Sequence, residues 1–258
     1  MGHHLYARSG SPWCPACDLP SMPVVVSLTR REREKLARRS EILEAARAVF
    51  AEKGYVGATL EEIAHRAQFG KGTLYNYFDG GKEGILRTIL DQMYGDLVGI
   101  TNDHFSPARL SATPMRQLFH DYLVNIFSYY HRHIDVFLIV LKEAHRLMLA
   151  DEQSLSHYFS EQRVRVLDAL RPPLEYGMAT GQLRVLPVDA LGELILGNIK
   201  GCQLHACMAA RGVPEPDCPR LVPETQADLL TTILFDGMRA PDAPDQRVSP
   251  TNGPRLNP

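Results

Sequence analysis

Three groups of residues have types and spacings suited to chemistry. Cys14-Pro15-Ala16-Cys17 sets two thiols three positions apart, which is half of a zinc site or a redox dithiol. No second nearby pair completes it. Cys202, His205 and Cys207 form the second group; on a helix 202 and 205 share a face and 207 lies off it. The plain alternative for the C-terminal cysteines is small buried hydrophobes. Neither thiol group makes a full metal site, so no metal, no cofactor and no catalytic residue is expected. The third group is Lys71, Gly72, Thr73, Tyr75, Asn76 and Tyr77. It combines a cation, hydrogen-bonding side chains and aromatic hydroxyls around a glycine, which is equipment for contact and not for bond making.

The surrounding pattern is helical. Thr29-Arg30-Arg31-Glu32 has capping-box spacing, and Leu36, Ile42, Leu43, Ala46, Val49 and Phe50 supply an apolar stripe before Gly54 stops the helix. Thr59-Leu60-Glu61-Glu62 repeats the capping box and opens a short helix with Ile63, Ala64 and Ala67 for packing. Residues 68–70 read as a tight turn, Lys71 to Phe78 as another short helix, and Asp79-Gly80-Gly81 as a break before a longer helix near Lys82. Further helical patterns run at about 115–130, 134–148, 152–179, 188–210 and 224–238. Pro172-Pro173 is expected to kink or divide the third of these. No set of alternating strands is present. The fold expected is all-α, with an N-terminal three-helix helix-turn-helix module followed by a larger helical body.

On these residues the chain resembles the TetR family of transcriptional regulators. The resemblance rests on Gly54-Tyr55, on Ala58-Thr59-Leu60-Glu61-Glu62-Ile63-Ala64, on Gly70-Lys71-Gly72-Thr73-Leu74-Tyr75-Asn76-Tyr77-Phe78, and on Lys82-Glu83. It implies a ligand-responsive DNA-binding regulator, a repressor in the main reading. Thr59 would cap its helix and sit near a phosphate. Lys71 and Lys82 would flank the groove as phosphate contacts, and Gly72 would let the helix approach closely. Thr73 and Asn76 suit base edges, and Tyr77 suits stacking or apolar contact. The resemblance also implies a phosphate contact for Tyr75, which positions without specifying.

The chain departs from the family pattern twice. Gly70 stands where a capping serine is usual, at a cost of only a few tenths of a kcal/mol. Three residues, Asp79-Gly80-Gly81, replace the usual two before Lys82. The extra residue is expected to shift Lys82 relative to its phosphate unless the glycines absorb it.

A single module reads few base pairs, so a twofold dimer on a palindromic site is expected. Leu191, Leu194, Ile195, Asn198, Ile199 and Cys202, then Leu229, Leu230, Ile233, Leu234 and Met238, are the candidate dimer stripes; burial inside one subunit is the alternative. The middle helices concentrate Phe119, Tyr122, Phe127, Tyr130, Phe137, His145, Met148, Tyr158 and Phe159. These are the candidates for a pocket holding an unidentified small-molecule effector, although such a stripe also suits ordinary core.

Composition sets the outer bounds. The 258 residues are 45% hydrophobic and 22% charged, which excludes collagen-like, low-complexity and wholly disordered chains. No apolar run approaches membrane-spanning length and no signal-like apolar segment follows Met1, so a cytoplasmic protein is expected. Five cysteines fit a reducing compartment. Net charge is -2, yet residues 29–89 hold 12 Lys/Arg against 9 Asp/Glu. The expected division is an appendage at 1–28, a DNA-binding module at 29–82, an effector and dimerisation body at 83–240 and a loosely ordered tail at 241–258. The rival readings are a redox or metal sensor using Cys14 and Cys17, and a ligand- or partner-binding protein whose reading head no longer reads DNA.

Overall fold

The computed structural model describes residues 29–148, 153–210 and 222–237, with side chains described except at 144–148, 153–155 and 207–210. Every described residue outside loops is helical. The helices are α1 (Arg30–Gly57), α2 (Leu60–Arg66), α3 (Lys71–Tyr77), α4 (Lys82–His104), α5 (Pro107–Ala112), α6 (Met115–Arg132), α7 (Ile134–Met148), α8 (Gln153–Ala179), α9 (Val188–Ala210) and α10 (Pro223–Phe235). The chain falls into two compact units, Met1–Arg38 and Arg39–Pro258.

In the first unit, residues 29–38 are exposed throughout. The Thr29 capping box forms: the Thr29 amide donates to Glu32 Oε2 at 2.8 Å and the Glu32 amide donates to Thr29 Oγ1 at 3.3 Å. Leu36, expected in the apolar stripe, is 52% exposed and does not join it.

In the second unit the stripe holds from Ile42 onward, with Ile42, Ala46, Val49 and Phe50 buried. Gly54 interrupts α1 at φ 73° and ψ 167°, a left-handed conformation that glycine adopts without steric cost. One contiguous core runs from these residues through Leu74, Ile85, Ile89, Phe119, Tyr122 and Phe127 to Ile195 and Leu230. Each such side chain contributes about 1.5–3 kcal/mol by leaving water.

Two elements differ from the pattern-based expectation. The short helix α5 carries no buried residue, so no apolar periodicity marks it; its signal is Pro107 at the first turn. The helix α8 runs through Pro172 and Pro173 without dividing. An interior proline costs about 3 kcal/mol in an unsupported helix. Here Leu170 and Leu174 are buried on either side of the pair and hold both halves to the core.

Candidate nucleic-acid interface and internal cavity

Helices α2 and α3 form the helix-turn-helix, and local sequence explains each bend. Thr59 accepts from the Glu62 amide while Glu62 accepts from the Thr59 amide, which satisfies two donors that α2 leaves open. The turn closes with the Phe69 amide donating to the Ala64 carbonyl at 2.9 Å and Gln68 at φ 58°. Gly70 begins α3 without a side-chain cap. Leu74 and Phe78 are buried and anchor α3.

That anchoring fixes what α3 presents. Lys71, Gly72, Tyr75 and Asn76 are exposed, and Tyr75 remains 51% accessible despite its size. A Cβ on Gly72 would meet nothing within 4 Å, so the backbone is open there. Thr73 and Tyr77 are half-buried, and Tyr77 packs against the core. Thr59 is exposed beside them. Lys71 forms an ion pair with Glu61 of α2. That hydrogen bond holds the Lys71 ammonium above the ordinary lysine pKa and the Glu61 carboxyl below the ordinary carboxylate one. Two more pairs, Lys53 with Glu62 at 2.5 Å and Arg66 with Glu52 at 2.7 Å, tie α2 to α1.

Lys82 sits differently from the other candidates. Its ammonium donates to the carbonyls of Tyr55 at 2.8 Å and Ala58 at 2.9 Å, and lies 4.5 Å from the Tyr55 ring centre. The lysine is thus engaged with the end of α1 and the residue that follows it. The three-residue break before it is absorbed by glycines. Gly80 and Gly81 take φ of 80° and 60°. A Cβ at Gly81 would come 3.1 Å from both Leu60 and Tyr75, and one at Gly84 would collide with the Asp79 carbonyl oxygen. Gly84 is the residue that composition and motif spacing did not single out.

The helical body contains a half-open cavity of about 500 Å³. Of the pocket candidates, Tyr130, Phe137 and Phe159 line it. Phe119 instead borders a second hollow of about 540 Å³ beside α10. Phe127 and Tyr122 are core residues, the latter with its hydroxyl 3.4 Å from Thr101 Oγ1. Tyr158 is buried and donates to Asp91 at 2.7 Å. His145 and Met148 lie outside the described side chains. Tyr94 and Leu97 of α4, Arg163 of α8 and Lys200 of α9 also line the cavity. Nothing in the sequence pattern separated them from other helix positions.

Helix α7 faces the cavity and α1 at once. Phe137, Val140 and Leu141 line the cavity. The next two residues reach α1: Lys142 donates to the Ala51 carbonyl at 3.1 Å, and the Tyr55 amide donates to the buried Glu143 at 3.3 Å.

Among the dimer-stripe candidates, Ile195, Ile199 and Leu230 are buried within the chain, and Leu191, Cys202 and Leu234 are partly buried. Leu194, Asn198, Leu229 and Ile233 remain exposed, and Met238 lies outside the described residues. No group of three potential metal ligands occurs among the described residues. Cys14, Cys17 and Cys218 lie outside those residues, as does the side chain of Cys207. No described helix is long and apolar enough to cross a membrane.

Residues 42–89 match the family described as bacterial regulatory proteins, tetR family. The transcriptional repressor KstR2 of Mycobacterium tuberculosis is 31% identical over 148 residues, which are 55% of this chain and 68% of that protein. The chain belongs to the TetR family. KstR2 of Mycolicibacterium smegmatis is 29% identical over 70% of this chain and 78% of its own length. The repressor NicS of Pseudomonas putida is 29% identical over 57% of this chain and 66% of its own. Among solved structures, FadR of Bacillus subtilis in complex with stearoyl-CoA superposes with a TM-score of 0.64 at 21% identity. That match covers 78% of this chain and 99% of FadR, and at this identity it speaks for the TetR-family fold alone. The chain is a transcriptional regulator by family, as its repressor relatives are.

Proposed function

We propose that this TetR-family chain is an effector-controlled repressor that binds a palindromic operator as a homodimer. The observation that carries the reading is the face of α3: Leu74 and Phe78 hold the helix from below while Lys71, Gly72, Tyr75 and Asn76 stand in solvent. Open backbone at Gly72 admits a groove wall. Asn76 offers a donor and an acceptor to a base edge, with Thr73 beside it. Lys71 and Tyr75 meet phosphates, and Thr59 adds a contact at the start of α2. Lys82 acts by holding the end of α1 and the residue that follows it, and Tyr77 by packing. The functional division runs at residues 29–82 for the reading head and 83–240 for the body.

The exposed Leu194, Leu229 and Ile233 form the dimer face, which sets two reading heads in successive major grooves. The cavity holds the effector, and α7 transmits its presence to α1 through Lys142 and Glu143. The effector then favours one of two arrangements of the heads and lowers operator affinity by its differential binding. The stearoyl-CoA complex of FadR supports a small-molecule site in a body of this fold.

The test is selection of bound duplexes from a random DNA pool, repeated with Lys71→Ala and Tyr75→Ala protein. A palindromic consensus enriched by the wild type and lost in both variants is expected. Equal enrichment by all three proteins would overturn the assignment of α3.

A further inference from the structure

The cavity has two polar regions in an apolar shell. On the solvent side stand the exposed Arg163 and Lys200, with Ser156 and Ser160 also exposed. Arg163 is spoken for, paired with Glu193 at 2.5 Å. Lys200 makes no ion pair among the described residues, so the cluster keeps one uncompensated positive charge beside the opening. Desolvation, aided by repulsion from Arg163, pulls the Lys200 ammonium below the ordinary lysine pKa against the pull of Glu193. A group in that state gains by acquiring an anion.

On the inner side stand Tyr94 of α4 and Tyr130 of α6. Tyr130 is 8% exposed, neither hydroxyl pairs with a described residue, and neither oxygen is fully cut off from solvent. This contrasts with Tyr129, which donates to Asp96 at 2.9 Å, and with Tyr158, which donates to Asp91. A phenol oxygen left free at a cavity wall is available to a polar atom of a ligand. The apolar part of the wall includes Leu97, Phe137, Val140, Phe159, Val166 and Leu196. A volume of about 500 Å³ suits a ligand of moderate size.

We propose that the cavity takes a hydrophobic monoanion with a second oxygen function at its far end: an oxyanion head held by Lys200, an apolar body, and a distal hydroxyl or carbonyl held by Tyr94 and Tyr130. This rests on reading the cavity as the effector site and adds the chemistry of the effector.

The test uses the full-length protein and displacement of the neutral fluorescent probe N-phenyl-1-naphthylamine. The competitors are 12-hydroxydodecanoate, its methyl ester and dodecanoate. The hydroxy acid is expected to displace the probe at about tenfold lower concentration than the ester, as a charge-assisted contact in an apolar site supplies. It should also surpass dodecanoate by about threefold to tenfold. Lys200→Met should abolish the first difference and Tyr130→Phe the second, each variant retaining the wild-type circular dichroism. Equal displacement by acid and ester, or an acid preference that survives Lys200→Met, would overturn the anionic head. A hydroxyl preference that survives Tyr130→Phe would overturn the distal contact. Probe binding that is absent, or that persists unchanged in Leu97→Trp, would instead remove the cavity as the site and the proposal with it.

Discussion

Lys71 divides its charge between Glu61 and whatever approaches α3. Because its folded pKa is raised, the pair is complete below the ordinary lysine value and is lost as pH rises through the raised one. Because the Glu61 pKa is lowered, the pair is complete above the ordinary carboxylate value and is lost as pH falls through the lowered one. The pair therefore stands across the neutral range, and in the proposed complex a phosphate competes with it. Glu61→Gln should release Lys71 and remove a negative charge from the side proposed to face DNA. Operator affinity by fluorescence anisotropy at fixed low salt should rise about threefold to tenfold, with thermal stability changed little since the pair is exposed. Unchanged affinity would place Lys71 away from the DNA. The exposed face of α3 was legible in the motif, because Leu74 and Phe78 have to point inward. The seat of Lys82 was not, because its partners are main-chain carbonyls 24 and 27 residues earlier that only folding brings near.

Elements carry the adjustments that individual contacts require. The start of α4 accommodates one more residue than the family pattern by leaving no room for a side chain at Gly84. Gly84→Ala should therefore destabilise the protein by about 1–3 kcal/mol in urea unfolding. Gly95 lies in the same helix with nothing within 4 Å of its hypothetical Cβ, and Gly95→Ala should stabilise by about 0.5–1 kcal/mol. Opposite signs from one substitution in one helix test the packing at the break directly. In the proposed route helix α7 links cavity and reading head through consecutive residues, so Glu143→Gln should spare effector binding and weaken its consequence. The effector-induced change in operator affinity should fall by about fivefold, which calorimetry and anisotropy on the same sample would separate. A wild-type response would show that α7 is not the route. The helices themselves were readable from periodicity and caps. The exceptions are α5, which buries nothing, and the unbroken α8, in which core anchoring at Leu170 and Leu174 outweighs the local cost of two prolines.

At the scale of the whole molecule, the proposed function depends on two heads held at one spacing. The dimer stripes read from the sequence mix two faces: Ile195, Ile199 and Leu230 serve the core of the chain, while Leu194, Leu229 and Ile233 stand outside it. Helical spacing cannot divide such a stripe, because neighbouring positions on one helix differ only in which neighbour the fold brings to them. Leu229→Asp combined with Leu194→Asp should give a folded monomer by sedimentation and weaken operator binding by at least tenfold. A dimer that persists would move the interface elsewhere. The cavity shows the same division, since aromatic richness located Tyr130, Phe137 and Phe159 but gave no sign of Arg163 and Lys200, which α8 and α9 bring to its edge.

The most direct measurement of the central claim is operator affinity as a function of salt, for wild-type, Lys71→Ala and Asn76→Ala protein, on the selected operator and a scrambled duplex. Wild-type protein should prefer the operator by about a thousandfold or more and lose affinity steeply as salt rises. Lys71→Ala should weaken both duplexes and reduce the salt slope by about one, while Asn76→Ala should keep the slope and lose about 1–3 kcal/mol of preference for the operator. Equal binding of operator and scrambled duplex by all three proteins, with one common slope, would contradict the claim that α3 reads DNA.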